Sequence, residues 1–123
     1  FGTIDSFLIW NLTEEKNHLT DITNASRTLL YNINSLDWDE ELLNLFNIPK
    51  SLLPDVVASD AAFGKLRFDN NIINITGVLG DQQSAMVGQN CFDKGSMKSC
   101  SKNYGLILFK ELCFSEIPNL ESE

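Results

Sequence analysis

Asp81 follows Gly80 and precedes Gln82 and Gln83, placing a carboxylate and two amides at a junction between two unlike stretches. Before it runs Ile72-Ile73-Asn74-Ile75-Thr76-Gly77-Val78-Leu79, whose β-branched and apolar residues predict a buried strand. After it runs Ser84-Ala85-Met86-Val87-Gly88-Gln89, which predicts a helix, with Gly80 allowing a tight turn between the two. In open α/β sheets, ligands bind at the carboxyl ends of strands, so Asp81 is the first candidate for acid–base or ligand chemistry. Aspartate is also a favoured helix N-cap, and the two roles are compatible.

The elements that would position this junction fit one modest core. The chain has 123 residues, 43% of them hydrophobic, which allows at most one domain. It opens on Phe1-Gly2-Thr3-Ile4-Asp5 without an initiating Met, in the manner of an internal segment. A net charge of -8, with nine scattered Lys and Arg, argues against a nucleic-acid partner but not against a nucleotide substrate. A single phosphate can be held by backbone N–H groups and a metal ion. No apolar run approaches the roughly 20 residues that span a bilayer, so no membrane association is expected and the compartment is read as cytoplasmic. Cys91, Cys100 and Cys113 are too widely spaced for a zinc site or a disulfide framework, and they read as buried or incidental thiols. The sequons at Asn11, Asn24 and Asn74 read as fortuitous, Asn74 falling within the predicted buried strand.

Along the chain, Ile4, Phe7, Leu8 and Leu12 recur at helical spacing. Ile9 and Trp10 widen the stripe, predicting a helix over 4–12 with a broad buried face and Trp10 in the core. Residues 13–17 read as an exposed loop. Residues 18–28 are rich in hydroxyl and amide side chains that favour caps and turns, with His18 a structural hydrogen-bonder. A short strand is expected over 29–33. Asp37 and Glu40 have the spacing of a capping box, with Asp37 as N-cap, ahead of a helix that Pro49 ends soon after Ile48. The acidic cluster Asp37, Asp39, Glu40 and Glu41 reads as helix capping and solvated surface, and no metal site is assigned. Ser51-Leu52-Leu53-Pro54 starts a turn or short helical piece. A linking segment follows through Gly64, and Ala85 and Gly88 are small enough to let the last helix lie close to a sheet.

Several runs together resemble the glycerol kinases of the FGGY carbohydrate kinase family, in order and in spacing. They are 2–10, Thr20-Asp21-Ile22-Thr23-Asn24-Ala25-Ser26-Arg27-Thr28, Leu36-Asp37-Trp38-Asp39, Ile48-Pro49, Leu53-Pro54 and Gly80-Asp81-Gln82-Gln83. The Asn-Ala-Ser-Arg-Thr and Gly-Asp-Gln-Gln elements favour glycerol kinases over xylulose- and gluconate-type relatives. The resemblance implies an α/β fold, part of a ribonuclease-H-like (actin-like ATPase) domain and incomplete. Residues 1–98 would be the C-terminal part of the family's N-terminal domain, and 99–123 a divergent tail. It also implies a reaction, transfer of the ATP γ-phosphoryl group to a glycerol hydroxyl assisted by Mg²⁺. Asp81 would be the general base and Gln82 a glycerol contact, its amide offering both a donor and an acceptor to a polyol hydroxyl. Gln83 would support the helix start.

The resemblance breaks after about Lys98. Where the family has Asn-Thr-Tyr-Gly-Thr-Gly, a loop that approaches nucleotide phosphates, this chain has Asn103-Tyr104-Gly105-Leu106-Ile107. Tyr104 and Gly105 mark a degraded phosphate loop, since Leu106 and Ile107 offer phosphate oxygens no side-chain donor. Two readings follow: a glycerol kinase segment with glycerol and ATP as its substrates, or a truncated, catalytically silent remnant or non-catalytic module of the same fold. A chain of this kind is expected to be inactive alone, and to self-associate or pair with complementary kinase fragments.

Overall fold

The computed structural model describes residues 1–93 and Ser96, together with the backbone of two strands, Met97–Cys100 and Leu106–Phe109. The chain divides into two compact units, Phe1–Val78 and Leu79–Glu123.

In the first unit, helix α1 (Ile4–Leu12) leads to strand β1 (Leu19–Asp21) and the short helix α2 (Ile22–Ala25), which continues as a 3-10 turn, Ser26–Thr28. Strands β2 (Tyr31–Asn32) and β3 (Asp37–Trp38) form an antiparallel pair. Helix α3 (Glu40–Leu45), a 3-10 turn (Lys50–Leu52) and strand β4 (Asp55–Val57) complete the crossover back to β1. β1 and β4 pair in parallel, Thr20 opposite Val56, and a parallel pair demands such a helical crossover. This is the α/β arrangement the sequence predicts.

The core contains Ile22, Ala25, Leu30, Tyr31, Trp38, Leu43 and Leu53, with Leu42, Ile48 and Val56 packed against it. Tyr31 and Trp38, cross-strand partners, meet edge to face with centroids 6.1 Å apart, and the Trp38 indole N–H donates to the Pro54 carbonyl at 2.9 Å.

Local features depart from the sequence expectations for identifiable reasons. α1 forms as predicted, but it buries Asp5, Ser6 and Ile9, while Phe7 and Trp10 are 61% and 46% exposed. The buried face is chosen by a polar contact, because Thr20 of β1 donates its hydroxyl to Asp5 at 2.7 Å. Within the polar loop, Thr13 is buried, its hydroxyl bonded to the Ile9 carbonyl at 2.7 Å. Asp37 is not the N-cap. It lies in β3, and Asp39 caps α3 by accepting from the Glu41 and Leu42 amides at 3.0 and 3.1 Å. That helix ends at Leu45, ahead of Pro49, with Asn47 in the left-handed region at φ 54°.

The predicted buried strand is an exposed hairpin. Strand β6 (Asn71–Ile75) pairs antiparallel with β5 (Gly64–Phe68) across the two-residue loop Asp69-Asn70, with Ile72 55% and Ile73 48% exposed and Asn74 also exposed. Gly64 closes the other end at φ 135°, where a Cβ would lie 2.6 Å from Thr13 Cγ2.

In the second unit, helix α4 (Asp81–Gly88) is followed by β7 (Met97–Cys100) and β8 (Leu106–Phe109), an antiparallel pair with Met97 opposite Phe109. Tyr104, Gly105, Cys113 and residues 110–123 lie outside the described residues.

Candidate functional site

The approach to Asp81 begins where β6 ends. Residues 76–80 have no regular structure, so the strand does not run into the helix as the apolar run predicts. Within this stretch the Val78 amide donates to the Ser59 carbonyl at 2.9 Å. Gly80 is the N-cap of α4, with φ -58° and ψ 151°, a conformation open to any residue, so no glycine-specific turn is made here.

Asp81 is therefore the first helical residue and not the cap. It is exposed, and its Oδ1 accepts the Gln82 amide N–H at 2.7 Å while Oδ2 accepts from Gln82 Nε2 at 3.3 Å. The first turn of a helix favours a carboxylate, because unpaired N–H groups and the helix dipole present positive potential there. Gln83 and Met86, three residues apart on one face, are buried. Val87 is 37% exposed and a Cβ on Gly88 would meet nothing within 4 Å, so Gly88 is not a close-packing contact. The structure thus brings Asp81 and Gln82 together on the accessible start of α4 and turns Gln83 inward.

The remaining candidates have structural partners. His18 Nε2 lies 2.7 Å from the Phe1 carbonyl oxygen, and its ring meets Trp10 edge-on at 6.1 Å. In the acidic cluster, the Lys50 ammonium 2.7 Å from Asp37 holds that carboxyl below the usual aspartate range, helped by the Trp38 amide. Asp39 is held low by the Leu42 amide, the Asn32 side chain and the Glu41 amide. Among the described residues, no three His, Cys, Asp or Glu side chains are grouped to hold a metal ion. No described helix is long and apolar enough to cross a membrane. Cys91 is buried, near the Gln89 carbonyl.

Sequence reasoning missed Asp21 and Ser59. Asp21 is fully buried and caps α2, its Oδ2 accepting from the Thr23 amide and hydroxyl at 3.0 and 2.7 Å and from the Ser59 hydroxyl at 2.6 Å. Its Oδ1 accepts from the Asn24 amide and side chain at 3.1 and 2.6 Å. The spacing of Asp21, Thr23 and Asn24 signals a capping aspartate. No local signal points to Ser59, 38 residues away.

The family model for the FGGY family of carbohydrate kinases, N-terminal domain, matches residues 1–88. A glycerol kinase of Borrelia duttonii is 54% identical over 103 residues, covering 80% of this chain and 20% of its own length. The alignment with a glycerol kinase of Enterococcus casseliflavus runs over 123 residues at 46% identity, covering 98% of this chain and 24% of that protein. Among solved structures, Plasmodium falciparum glycerol kinase with ADP matches with a TM-score of 0.73 and 46% identity, over 80% of this chain and 20% of that one. The chain thus spans about a fifth to a quarter of the length of these relatives. The fold is part of a ribonuclease-H-like, actin-like ATPase α/β domain, as the sequence implied.

Proposed function

The chain belongs to the FGGY family of carbohydrate kinases, and on that premise we propose that it is a segment of a glycerol kinase that phosphorylates glycerol with ATP, Asp81 acting as general base. The observation that carries this reading is the exposed Asp81 carboxylate beside Gln82 at the start of α4, inside the region matched by the family.

Phosphoryl transfer depends on positioning and charge stabilisation. A terminal glycerol hydroxyl oxygen forms the new bond to the γ-phosphorus as the bond to the leaving ADP oxygen breaks, and the hydroxyl proton passes to Asp81. Gln82 fixes a second hydroxyl, donating through Nε2 and accepting through Oε1. Mg²⁺ in such reactions is held by one or two carboxylates and the substrate phosphates, and a lone exposed carboxylate fits an ion that arrives on ATP better than a protein cage. The ion would neutralise charge on the phosphates. No nucleotide contact is assigned in the region of Tyr104 and Gly105, where the family's phosphate loop falls and this chain carries Leu106 and Ile107. Residues 1–98 would form the later part of the N-terminal domain and 99–123 a diverging segment, although the alignment with the Enterococcus protein continues through it. A cytoplasmic location goes with this reading.

The second reading is a catalytically silent piece of the same fold, alone or paired with complementary kinase fragments. Leu106 and Ile107 in the phosphate-loop region favour it.

Grafting residues 1–123 into the Enterococcus glycerol kinase in place of the aligned segment, and measuring glycerol-dependent ADP release, tests both. Turnover in the graft and a loss of about 10²- to 10⁴-fold in Asp81→Asn is expected. An Asp81→Asn graft with kcat within twofold of its parent would overturn the general-base role. A folded graft without turnover supports the silent reading.

A further inference from the structure

The β5–β6 hairpin has one edge taken and one open. On the β5 side, the Glu14 amide donates to the Lys65 carbonyl at 3.0 Å and Thr13 forms an antiparallel bridge with Leu66, so the chain after α1 occupies that edge. On the other side, β6 has no strand partner besides β5 among the described residues. The backbone groups left over can be identified. The Ile75 carbonyl turns toward β5, accepting the Phe63 amide at 2.9 Å, and backbone groups alternate sides along an antiparallel strand. Ile73 therefore also faces β5, while Ile72 and Asn74 direct N–H and C=O outward. Lys65, opposite Asn74, likewise turns its carbonyl out of the hairpin, toward Glu14.

Both faces of the strand are open as well, since Ile72 and Ile73 point to opposite faces and are 55% and 48% exposed. Two-stranded ribbons are marginal in water, and exposed edges are ordinarily guarded by charge, proline or a bulge. β6 has none of these guards. Residues 70–80 include no charged residue and no proline, and the register with β5 runs unbroken from Asn71 to Ile75.

A third strand completes such an edge, and charge constrains what it is. At a net charge of -8, two copies of this chain repel one another overall, and least where charge is missing. Pairing β6 antiparallel with itself, about a two-fold axis at Ile73, also fits the free backbone groups. It sets Ile72 opposite Asn74 of the second copy, each pair exchanging both its N–H···O bonds, and Ile73 opposite itself with side chains in close contact.

We infer that β6 is a self-association edge: two copies of this chain join their β6 strands antiparallel, centred on Ile73, into one continuous sheet. The inference is independent of any catalytic role of Asp81.

Sedimentation equilibrium of the 123-residue chain is expected to give twice the 13.8 kDa chain mass at high concentration, falling toward one copy on dilution. Amide hydrogen exchange should slow at Ile72 and Asn74 as the dimer forms. Ile73→Lys puts two ammonium groups face to face across the axis and should weaken association at least about tenfold, although it lowers the net charge. Ile73→Glu alone should also weaken it, and mixing the two variants should restore the dimer, because each lysine then meets a glutamate. Ile4→Lys adds the same charge to α1 at a site 75% exposed and should not weaken association. A chain that stays monomeric at every concentration, leaving β6 to some other strand, overturns the inference. So does a dimer that Ile73→Lys and Ile73→Glu leave intact, or one that Ile4→Lys weakens equally, the mark of general apolar adhesion. A mixture of the lysine and glutamate variants that remains monomeric overturns the two-fold register. The wild-type exchange pattern decides without any variant: a dimer that shows no slowing at Ile72 and Asn74 is joined elsewhere.

Discussion

The Thr20 hydroxyl donates to Asp5 Oδ2 at 2.7 Å in a buried setting, tying α1 to β1 by a polar bond where apolar packing was expected. Asp5 is 7% exposed, and Thr3 also donates to its other oxygen. Thr20→Val keeps the shape and removes the donor, leaving a buried carboxylate oxygen unmatched at a cost of about 1–3 kcal/mol. Urea unfolding measures it, and a midpoint equal to the parent would refute the role of this bond.

Gly64 carries a different constraint. At φ 135° a side chain is strained, and the Cβ of alanine would also press on Thr13 Cγ2 at 2.6 Å and on Asn17 Nδ2 at 3.0 Å. Gly64→Ala is expected to destabilise by about 1–3 kcal/mol from the backbone alone. Adding Thr13→Ser removes the methyl while retaining a hydroxyl able to reach the Ile9 carbonyl, and recovers only part of the loss. Full recovery in the double variant would show that contact, and not backbone conformation, sets the cost.

These two sites show where sequence reading succeeds and fails. The helix over 4–12 was legible because its residues form helix locally, but apolar side chains surround it, so periodicity could not select a face. The choice fell to Asp5 and Thr20, 15 residues apart. The apolarity of Ile72-Ile73 predicts burial, but the only partner of this run among the described strands is β5. The turn-forming pair Asp69-Asn70, with Asp69 at φ 53°, was the signal for that hairpin. Asp81 and Gln82 were legible because they are neighbours in the chain. Ser59 was not, since its meaning comes entirely from a distant carboxylate.

The acidic surface gives a pH dependence with a definite sign. Asp37, Asp39 and Glu15 are all held below their usual values, by Lys50, by the Leu42 amide and by the Lys65 amide as the first cause in each case. Groups depressed on folding contribute stability above the ordinary carboxyl pKa of about 4 and lose it as pH falls through the folded values. Lys50 is raised by Asp37, so its contribution is full below the ordinary lysine pKa of about 10.4 and lost as pH rises past the folded value. The urea midpoint should fall below about pH 4, and Asp37→Asn should flatten that limb slightly. The Asp37 and Lys50 side chains are 54% and 48% exposed, so added salt should shrink the difference. An acid limb superimposable on the parent would show that the pair contributes nothing.

Gln82 separates binding from chemistry at the proposed site. Its Nε2 already points at Asp81 Oδ2, 3.3 Å away, so the amide and the carboxylate face the same small volume. A polyol hydroxyl fixed by the Gln82 amide is bound as firmly before transfer as during it, and an interaction of that kind appears in KM and not in kcat. In the grafted enzyme, Gln82→Ala should raise the glycerol KM about 3- to 10-fold, the worth of one net hydrogen bond, with kcat within about twofold. Gln82→Glu keeps an acceptor but loses the donor and adds a charge beside Asp81, so it should raise KM further. A variant that lowers kcat at unchanged KM would place Gln82 in the transition state, orienting Asp81 and not the substrate.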